Sequence, residues 1–107
     1  MKILFDQGTP VPLRRYFADH TVTTAYEQGW SDLANGHLLE TAERAGYDLF
    51  ITTDQNLCYQ QQVTGRQLAI VVLRSTSWPR IQHHIAAIQI VVERIAVSGY
   101  EEIEIPR

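Results

Sequence analysis

Short apolar runs, each followed by polar residues, recur along the chain and predict the strands of a sheet. The first run covers residues 2–5, and the second, residues 21–25, is rich in β-branched side chains. A third run spans residues 48–53. The fourth, LAIVVL at residues 68–73, contains no polar residue, which is typical of a parallel strand covered on both faces. Residues 101–105 combine glutamates with isoleucines, a pattern that fits an exposed edge strand or a tail.

Helices are predicted between the first three runs. Thr9 and Pro10 are typical of a helix start, with Thr9 as the N-cap and Pro10 in the first helical position. Asn35 is the N-cap candidate for a second helix, and Gly46 is placed to end it. The polar segment of residues 28–36 is interpreted as a loop or a short helix.

Two further helices are predicted in the second half of the chain. A short one spans residues 56–62. The longest helix opens at Ser77 and ends at Gly99, and its apolar side chains recur at the spacing of one helix face: Ile81, Ile85, Ile88, Val92 and Ile95. Strands that alternate with helices predict an α/β fold, with residues 1–107 as a single domain. We expect a parallel sheet of four or five strands, flanking helices and right-handed crossovers.

Composition narrows the class of protein further. The 107 residues carry a net charge of −3, which argues against binding nucleic acid through bulk positive charge. The cations are eight arginines and one lysine, and guanidinium groups suit bidentate pairing with phosphate or carboxylate. A single cysteine, no N-terminal signal peptide and no apolar run of membrane-spanning length predict a cytoplasmic protein without a membrane contact.

Two of the predicted strands are followed by an aspartate. Asp6 comes directly after the first strand, in FDQ, and Asp54 follows the third, in TTDQNL. The carboxyl ends of parallel strands share the edge of the sheet where ligands bind, so the two aspartates converge if these strands are neighbours. Converging carboxylates favour a hard cation such as Mg²⁺ or Mn²⁺. A local turn for either residue, or a helix cap at Asp54, is the alternative interpretation.

Three segments of the sequence resemble a known family. MKILFDQGTP, NGHLLETAERAGYDLFITTDQNLCYQQ and LAIVVLRS, in this order, are similar to the short PIN-like proteins often encoded beside small antitoxin genes. The resemblance covers residues 1–75. It implies a three-layer PIN-like α/β fold, Mg²⁺- or Mn²⁺-dependent ribonuclease activity on an RNA substrate and, for a toxin, a small antitoxin protein as partner.

The resemblance also implies which residues form the metal site. Asp6 and Asp54 match two of the acidic ligands and would be the catalytic pair. The middle acidic position, which opens the helix before the third strand, is Asn35 here, a neutral oxygen donor. Asp32 is preferred as a substitute over Glu40, which the helical period turns away from the core. This reduced acidic set leaves a second hypothesis open, a catalytically silent PIN-like binding or scaffold module.

Candidate substrate contacts are arginines and aromatic residues. Arg74 ends the fourth strand at the same edge as the aspartates, where it would clamp a phosphate or pair with Asp6 or Asp54. Arg14 is a further candidate for the RNA path. Trp30, in the polar loop, is the preferred residue for base stacking, with a lid over the core as the alternative. A homodimer is expected through the isoleucine-rich last helix or the isoleucine-bearing tail.

Overall fold

Five parallel strands form one sheet in the computed structural model, which describes residues 1–107. Along the chain they are β1 (Lys2–Phe5), β2 (Thr21–Thr24), β3 (Leu49–Thr52), β4 (Ala69–Leu73) and β5 (Tyr100–Ile103). Their spatial order is β2-β1-β3-β4-β5, so β2 and β5 are the two edges. The predicted α/β fold with a parallel sheet is confirmed, and β5 is an edge strand as expected.

Five helical segments connect the strands. A 3₁₀ helix, Val11–Phe17, joins β1 to β2, and α1 (Asn35–Arg44) joins β2 to β3. The short α2 (Leu57–Gln60) follows β3, and two consecutive helices, α3 (Trp78–Gln82) and α4 (Ile85–Arg94), join β4 to β5. None of these helices has both the length and the apolar character needed to cross a lipid bilayer.

The sheet separates two hydrophobic cores, because successive side chains of a strand point to opposite faces. In β1, Ile3 and Phe5 point to one face and Leu4 to the other, and all three are fully buried. The 3₁₀ helix, α3 and α4 cover the Ile3 face, whereas α1 and α2 cover the Leu4 face. The fold therefore has three layers, and the uninterrupted apolar run of β4 is explained by burial on both sides.

The last connection has the opposite hand to the three connections before it. From β1 to β2 the chain moves toward one edge over the Ile3 face, and from β2 to β3 and on to β4 it moves the other way over the Leu4 face. These three connections share one hand. From β4 to β5 the direction is unchanged but α3 and α4 pass over the Ile3 face, so the hand is reversed. The prediction of right-handed crossovers throughout is therefore wrong. The reversal places Ile81 and Ile88 on the same face of the sheet as the 3₁₀ helix.

The start of the first helical segment differs from the prediction. Pro10, not Thr9, holds the N-cap position, and the segment is a 3₁₀ helix rather than an α-helix. Pro10 and Pro12 lack amide hydrogens, so this segment has fewer donors for regular helical hydrogen bonds. The Thr9 hydroxyl is engaged at the edge of the sheet instead. Ser77, by contrast, caps α3 by accepting a hydrogen bond from the Arg80 amide.

The predicted longest helix is divided into α3 and α4 at His84. This residue has a φ of −123°, outside the helical region, and its ring Nε2 lies 2.8 Å from Pro106 O in the C-terminal segment. Both pieces still face one core, because Ile81 of α3 and Ile88 of α4 are fully buried in the same cluster. The second piece ends at Arg94, before the glycine that was expected to stop it.

Candidate functional site

The carboxyl ends of β1 and β3 meet where the strand order reverses. β1 lies between β2 and β3, so the chain leaves this point of the sheet in opposite directions. Such a switch point opens a crevice at the carboxyl edge of a parallel sheet, where ligands bind. Asp6 is the first residue after β1 and Asp54 the second after β3, and the Asp6 amide donates to Ile51 O at 3.2 Å. The first and third strands are neighbours, as the convergence of the aspartates requires.

Asp6 is held both by its own loop and by the neighbouring strand. Its Oδ1 accepts a hydrogen bond from the Thr9 amide at 3.1 Å and lies 2.6 Å from the Thr9 hydroxyl. Its Oδ2 accepts a hydrogen bond from the Thr52 hydroxyl at the end of β3. Thr9 and Thr52 are buried, so these contacts replace water that an exposed carboxylate would bind.

Asp54 is also held both by its own loop and by a neighbouring element. Its Oδ1 accepts a hydrogen bond from the Asn56 amide at 3.0 Å, and its Oδ2 accepts one from the Asn35 side-chain amide at the start of α1. The Asp54 amide donates to the Thr52 hydroxyl oxygen at 3.0 Å. Because the same hydroxyl donates to Asp6, the Thr52 side chain connects the two aspartates.

Burial is the main influence on the Asp6 carboxyl and raises its pKa above the ordinary value. Hydrogen bonds from Thr52 and Thr9 oppose this rise, and the charge of Asp54 adds to it. The charge of Asp54 is the smallest of these influences, so repulsion between the two carboxylates contributes less to this pKa than the burial of Asp6. A cation between them, or a proton on Asp6, relieves the repulsion.

The structure shows both a local turn at each aspartate and the convergence of Asp6 and Asp54, which the sequence left as alternatives. In each aspartate one oxygen binds a backbone amide two or three residues further on, and the other oxygen binds a side chain from a different element. A turn at Asp6 or Asp54 therefore does not compete with a shared site. The two interpretations drawn from the sequence describe different oxygens of the same carboxyl groups.

Asn35 joins the aspartates, and Asp32 does not. Ala34 is the N-cap of α1, so the Asn35 side chain binds Asp54 rather than capping its own helix, contrary to the prediction. Asp32 is exposed in the preceding loop, and no three side chains from Asp, Glu, His or Cys come together as a metal-binding group. An exposed, hydrated carboxylate gains nothing by approaching two others that repel it. The structure therefore does not bring Asp32 to Asp6 and Asp54 as a third acidic side chain.

The remaining acceptors suit one hard divalent cation with a largely hydrated shell. A carboxylate oxygen has two acceptor positions, and three oxygens here accept a single hydrogen bond each: Oδ2 of Asp6 and both oxygens of Asp54. Mg²⁺ commonly takes one or two protein carboxylates, with water and substrate phosphates completing its octahedron. All of the available donors are oxygens, which favours Mg²⁺ or Mn²⁺ over softer metals.

Gly8 is required by a close approach within the site. A Cβ on Gly8 would lie 2.5 Å from Thr53 Oγ1, and Thr53 is only 8% exposed, so its short side chain has no room to move away. We expect Gly8→Ala to lower the free energy of unfolding by about 1–3 kcal/mol, measured by urea denaturation.

The matched control for this prediction is Gly8→Ala in a Thr53→Ala background, where the obstructing hydroxyl is missing. The cost of the glycine substitution should then be smaller by at least about 0.5 kcal/mol, because residues in contact are energetically coupled. An equal cost in both backgrounds would show that Thr53 is not what Gly8 accommodates.

Arg74 lies away from the aspartates. Its Nη1 is 2.6 Å from Glu102 Oε1 and its Nε is 2.9 Å from Glu104 Oε1. The strand order explains this, because β5 pairs directly with β4 and brings its acidic side chains to the end of that strand. The predicted pairing with Asp6 or Asp54 is wrong. A guanidinium shared by two carboxylates is also a weak candidate for holding a phosphate.

Trp30 and Arg14 occupy different environments. The Trp30 ring is partly buried and lies edge-on to Tyr47, with 6.0 Å between ring centroids and 74° between the planes, which is the lid arrangement. Arg14 lines a cleft of about 520 Å³ that begins at Asp6, and its Nη1 lies 3.0 and 3.1 Å from the carboxylate oxygens of Glu27. Of the two, Arg14 shares a cleft with Asp6, whereas the Trp30 ring packs against Tyr47.

Sequence reasoning missed the hydroxyl and amide groups around the aspartates. Threonines in a strand are too common to indicate a site, so Thr52 gave no distinctive signal. Thr9 was assigned to a helix cap. Gln61 was also missed: its side chain covers Gly36 at the start of α1, next to Asn35, so closely that a Cβ on Gly36 would collide with Gln61 Oε1.

Five side chains thus form the switch-point cluster: Asp6, Thr9, Asn35, Thr52 and Asp54. Their contacts link the ends of β1 and β3 to the start of α1.

Comparison with family models, with curated proteins and with solved structures finds no match to this chain.

Proposed function

We propose that the chain is a PIN-like ribonuclease that requires Mg²⁺ or Mn²⁺. The observation that carries the proposal is the convergence of Asp6 and Asp54 at the switch point of the sheet, where the Thr52 hydroxyl contacts the Asp6 carboxylate and the Asp54 amide. Two repelling, partly buried carboxylates do not stabilise a fold, so their position in a ligand-binding crevice favours a cationic ligand. The resemblance to PIN-like proteins supports RNA as the substrate.

The switch-point cluster would hold the ion through Asp54 and the open position on Asp6 Oδ2. A bound divalent ion would supply an activated water and offset charge on the attacked phosphate. The Thr52 hydroxyl links the Asp6 carboxylate to the backbone amide of Asp54, and Asn35 fixes the orientation of Asp54 Oδ2. Thr9 holds Oδ1 of Asp6, which leaves Oδ2 as the oxygen directed to the shared site.

The second candidate function is a catalytically silent PIN-like module that binds a partner without cleaving RNA. The specific observation in its favour is that no third acidic side chain joins Asp6 and Asp54. Two carboxylates attract a divalent ion less strongly than three or four, and hydroxyl donors already bind Asp6. In that case the switch-point cluster would be a structural link between β1, β3 and α1.

The proposed cellular setting follows from the family resemblance. A cytoplasmic ribonuclease that is the toxin of a pair requires a small antitoxin protein to hold it inactive. A homodimer through α4 is the proposed assembly, because Ile90 on this helix is 62% exposed and available to a second copy.

Cleavage of a labelled RNA panel tests the enzyme proposal. We expect products in Mn²⁺ or Mg²⁺ and none in EDTA, with the Asp6→Asn/Asp54→Asn double variant as the inactive control. Calorimetric titration of Mn²⁺ separates the two candidate functions. Specific binding that is lost in the double variant supports the enzyme, whereas the absence of heat in both proteins favours the silent module. Cleavage that persists in EDTA would contradict a metal-dependent mechanism.

A further inference from the structure

The Gln61 side chain packs on the first turn of α1, beside the switch-point cluster. A Cβ on Gly36 would collide with Gln61 Oε1 and would lie 2.9 Å from Gln61 Cδ and 3.1 Å from Gln61 Nε2. The amide end of Gln61 therefore occupies the space that a side chain at position 36 would fill. Gly36 directly follows Asn35, whose side-chain amide donates to Asp54 Oδ2. Gln61 thus contacts the turn that holds one oxygen of a proposed metal ligand.

This first turn of α1 has no cap of its own. Ala34 holds the N-cap position without a side-chain hydrogen bond, and the turn contains no acidic residue. The first buried side chain of the helix is Leu38, and His37 is exposed. An uncapped helix start frays readily, because its first amides have no acceptor in the helix. A side chain packed across Gly36 opposes that fraying and so restrains the residue beside it, Asn35.

The short helix α2 fixes Gln61 relative to Asp54. At the start of this helix, the Asn56 amide donates to Asp54 Oδ1 at 3.0 Å and the Leu57 amide donates to Asp54 O at 3.3 Å. At its end, the Gln61 amide donates to Leu57 O at 2.9 Å, and the Leu57 side chain is fully buried. Asp54 and Gln61 are therefore joined by a single anchored turn of helix.

We propose that Gln61 is a positioning residue for Asp54. It acts through Asn35: its side chain holds the start of α1 in place, and Asn35 in turn fixes Asp54 Oδ2. The contacts form a closed ring, because α2 leads from Asp54 to Gln61 and the start of α1 leads back to Asp54. The inference rests on the proposed ribonuclease function, in which Asp54 binds the metal ion. Groups that orient a metal ligand affect both metal affinity and activity.

Two variants remove this contact in different ways. Gln61→Ala deletes the side chain, whereas Gly36→Ala introduces a Cβ that displaces its flexible end into solvent. Calorimetric titration should show Mn²⁺ affinity reduced about 10-fold in each, the lower end of the range for residues around a metal ligand. The double variant should bind no more weakly than either single variant, because both substitutions remove the same contact. Losses that multiply in the double variant would overturn a shared contact as their cause.

Gln60→Ala is the matched control. Gln60 is the same residue type on the same short helix, but its side chain is exposed, so Mn²⁺ affinity should stay at the wild-type value. Gln61→Met tests whether packing is the cause, because methionine keeps the length of the side chain and covers Gly36 without an amide. Its affinity should be closer to that of the wild type than to that of Gln61→Ala. Equal losses in the methionine and alanine variants would overturn packing on Gly36 as the mechanism.

A second measurement does not depend on metal binding. In proton–nitrogen NMR spectra recorded in EDTA, the side-chain amide signals of Asn35 report its hydrogen bond to Asp54. We expect these signals to move toward the positions of an exposed asparagine in Gln61→Ala and Gly36→Ala, and to stay unchanged in Gln60→Ala. Unchanged Asn35 signals in Gln61→Ala would overturn the positioning role.

The positioning role and the ribonuclease proposal can therefore fail separately. Absence of Mn²⁺ binding by the wild type would refute the enzyme, while the Asn35 signals would still decide whether Gln61 holds this residue. Mn²⁺ binding that is lost in the Asp6→Asn/Asp54→Asn double variant but is unaffected by Gln61→Ala would refute the positioning role and leave the enzyme.

Discussion

Replacing Asp6 by asparagine is expected to reduce metal-dependent RNA cleavage at least about 100-fold. Residues that only orient a metal ligand cost about 10–100-fold when they are changed, and Asp6 is itself a ligand in the proposed site. Asparagine keeps the size of the side chain and one acceptor oxygen but lacks the charge that attracts a cation. Calorimetry should therefore show a loss of Mn²⁺ affinity that parallels the loss of kcat/KM on labelled RNA.

The same substitution should gain stability relative to the wild type as the pH rises. Burial raises the pKa of Asp6 in the folded state above its ordinary value of 3.8, so folding favours the uncharged carboxyl. The resulting stability is present below that ordinary value and is lost as the pH rises through the folded-state pKa. Asparagine does not ionise and keeps its stability over this interval. Unfolding of metal-free wild type and Asp6→Asn from about pH 3 to 7 measures the difference.

Asp32→Asn is the matched control for both measurements on the metal site. It removes the same charge from an exposed position outside the switch-point cluster, so cleavage and Mn²⁺ affinity should be unchanged. A wild-type rate for Asp6→Asn would refute a metal-binding role for Asp6. A loss of cleavage in Asp32→Asn would return Asp32 to the site as a ligand that the substrate or the metal recruits.

The sheet and its acidic edge were predictable because both depend on local patterns. Apolar runs mark the strands, and a strand that runs directly into Asp6 places that residue at the carboxyl edge whatever the rest of the fold does. The hydrogen-bond partners of the two carboxylates were harder to predict from the sequence. The Thr9 hydroxyl could serve either a helix N-terminus or a buried carboxylate. The carboxylate prevails because leaving it without donors costs more than leaving an exposed helix end to water.

Arg74 shows a second limit of prediction from local sequence patterns. Its position at the end of β4 was predicted correctly, but an arginine there can turn to the strand on either side. The register of β4 with β5 places Val72 opposite Glu102 and so brings the acidic edge strand within reach. That register depends on how α3 and α4 pack between the two strands, which no pattern around residue 74 encodes. The reversed crossover could not be predicted for the same reason.

Thr52→Val is expected to lower RNA cleavage about 10–100-fold, although Thr52 is not a ligand in the proposed site. Valine has nearly the same shape as threonine. It removes the hydroxyl that donates to Asp6 Oδ2 and accepts from the Asp54 amide. The Asp6 carboxylate and the Asp54 backbone amide then lose the hydroxyl that links them, so Thr52 acts as a positioning residue. The measurement is kcat/KM in Mn²⁺ for the variant and the wild type.

Metal-free Thr52→Val should also lose about 1–3 kcal/mol of unfolding free energy, because a partly buried acceptor on Asp6 and a partly buried donor on Asp54 are left without this partner. Among the contacts of Asp6, the hydrogen bond from Thr52 lowers its pKa the most, so its removal raises that pKa further. A hydrogen bond that favours the charged carboxylate stabilises the fold above the ordinary value of 3.8, and this stability is lost as the pH falls. The deficit of the variant should therefore grow from about pH 3 to 7.

Thr52→Ser separates the hydroxyl from the shape of the side chain. Serine loses one methyl group, so stability should fall by about 1 kcal/mol while cleavage stays close to the wild-type rate. Equal losses of cleavage in the serine and valine variants would trace the effect to the packing of β3 instead of the hydroxyl. Full activity of Thr52→Val would show that the aspartates keep their geometry without it. The Thr52 hydroxyl contacts the Asp6 carboxylate and the Asp54 amide. Cleavage near the wild-type rate with serine, together with reduced cleavage with valine, would therefore show that this hydroxyl positions both aspartates.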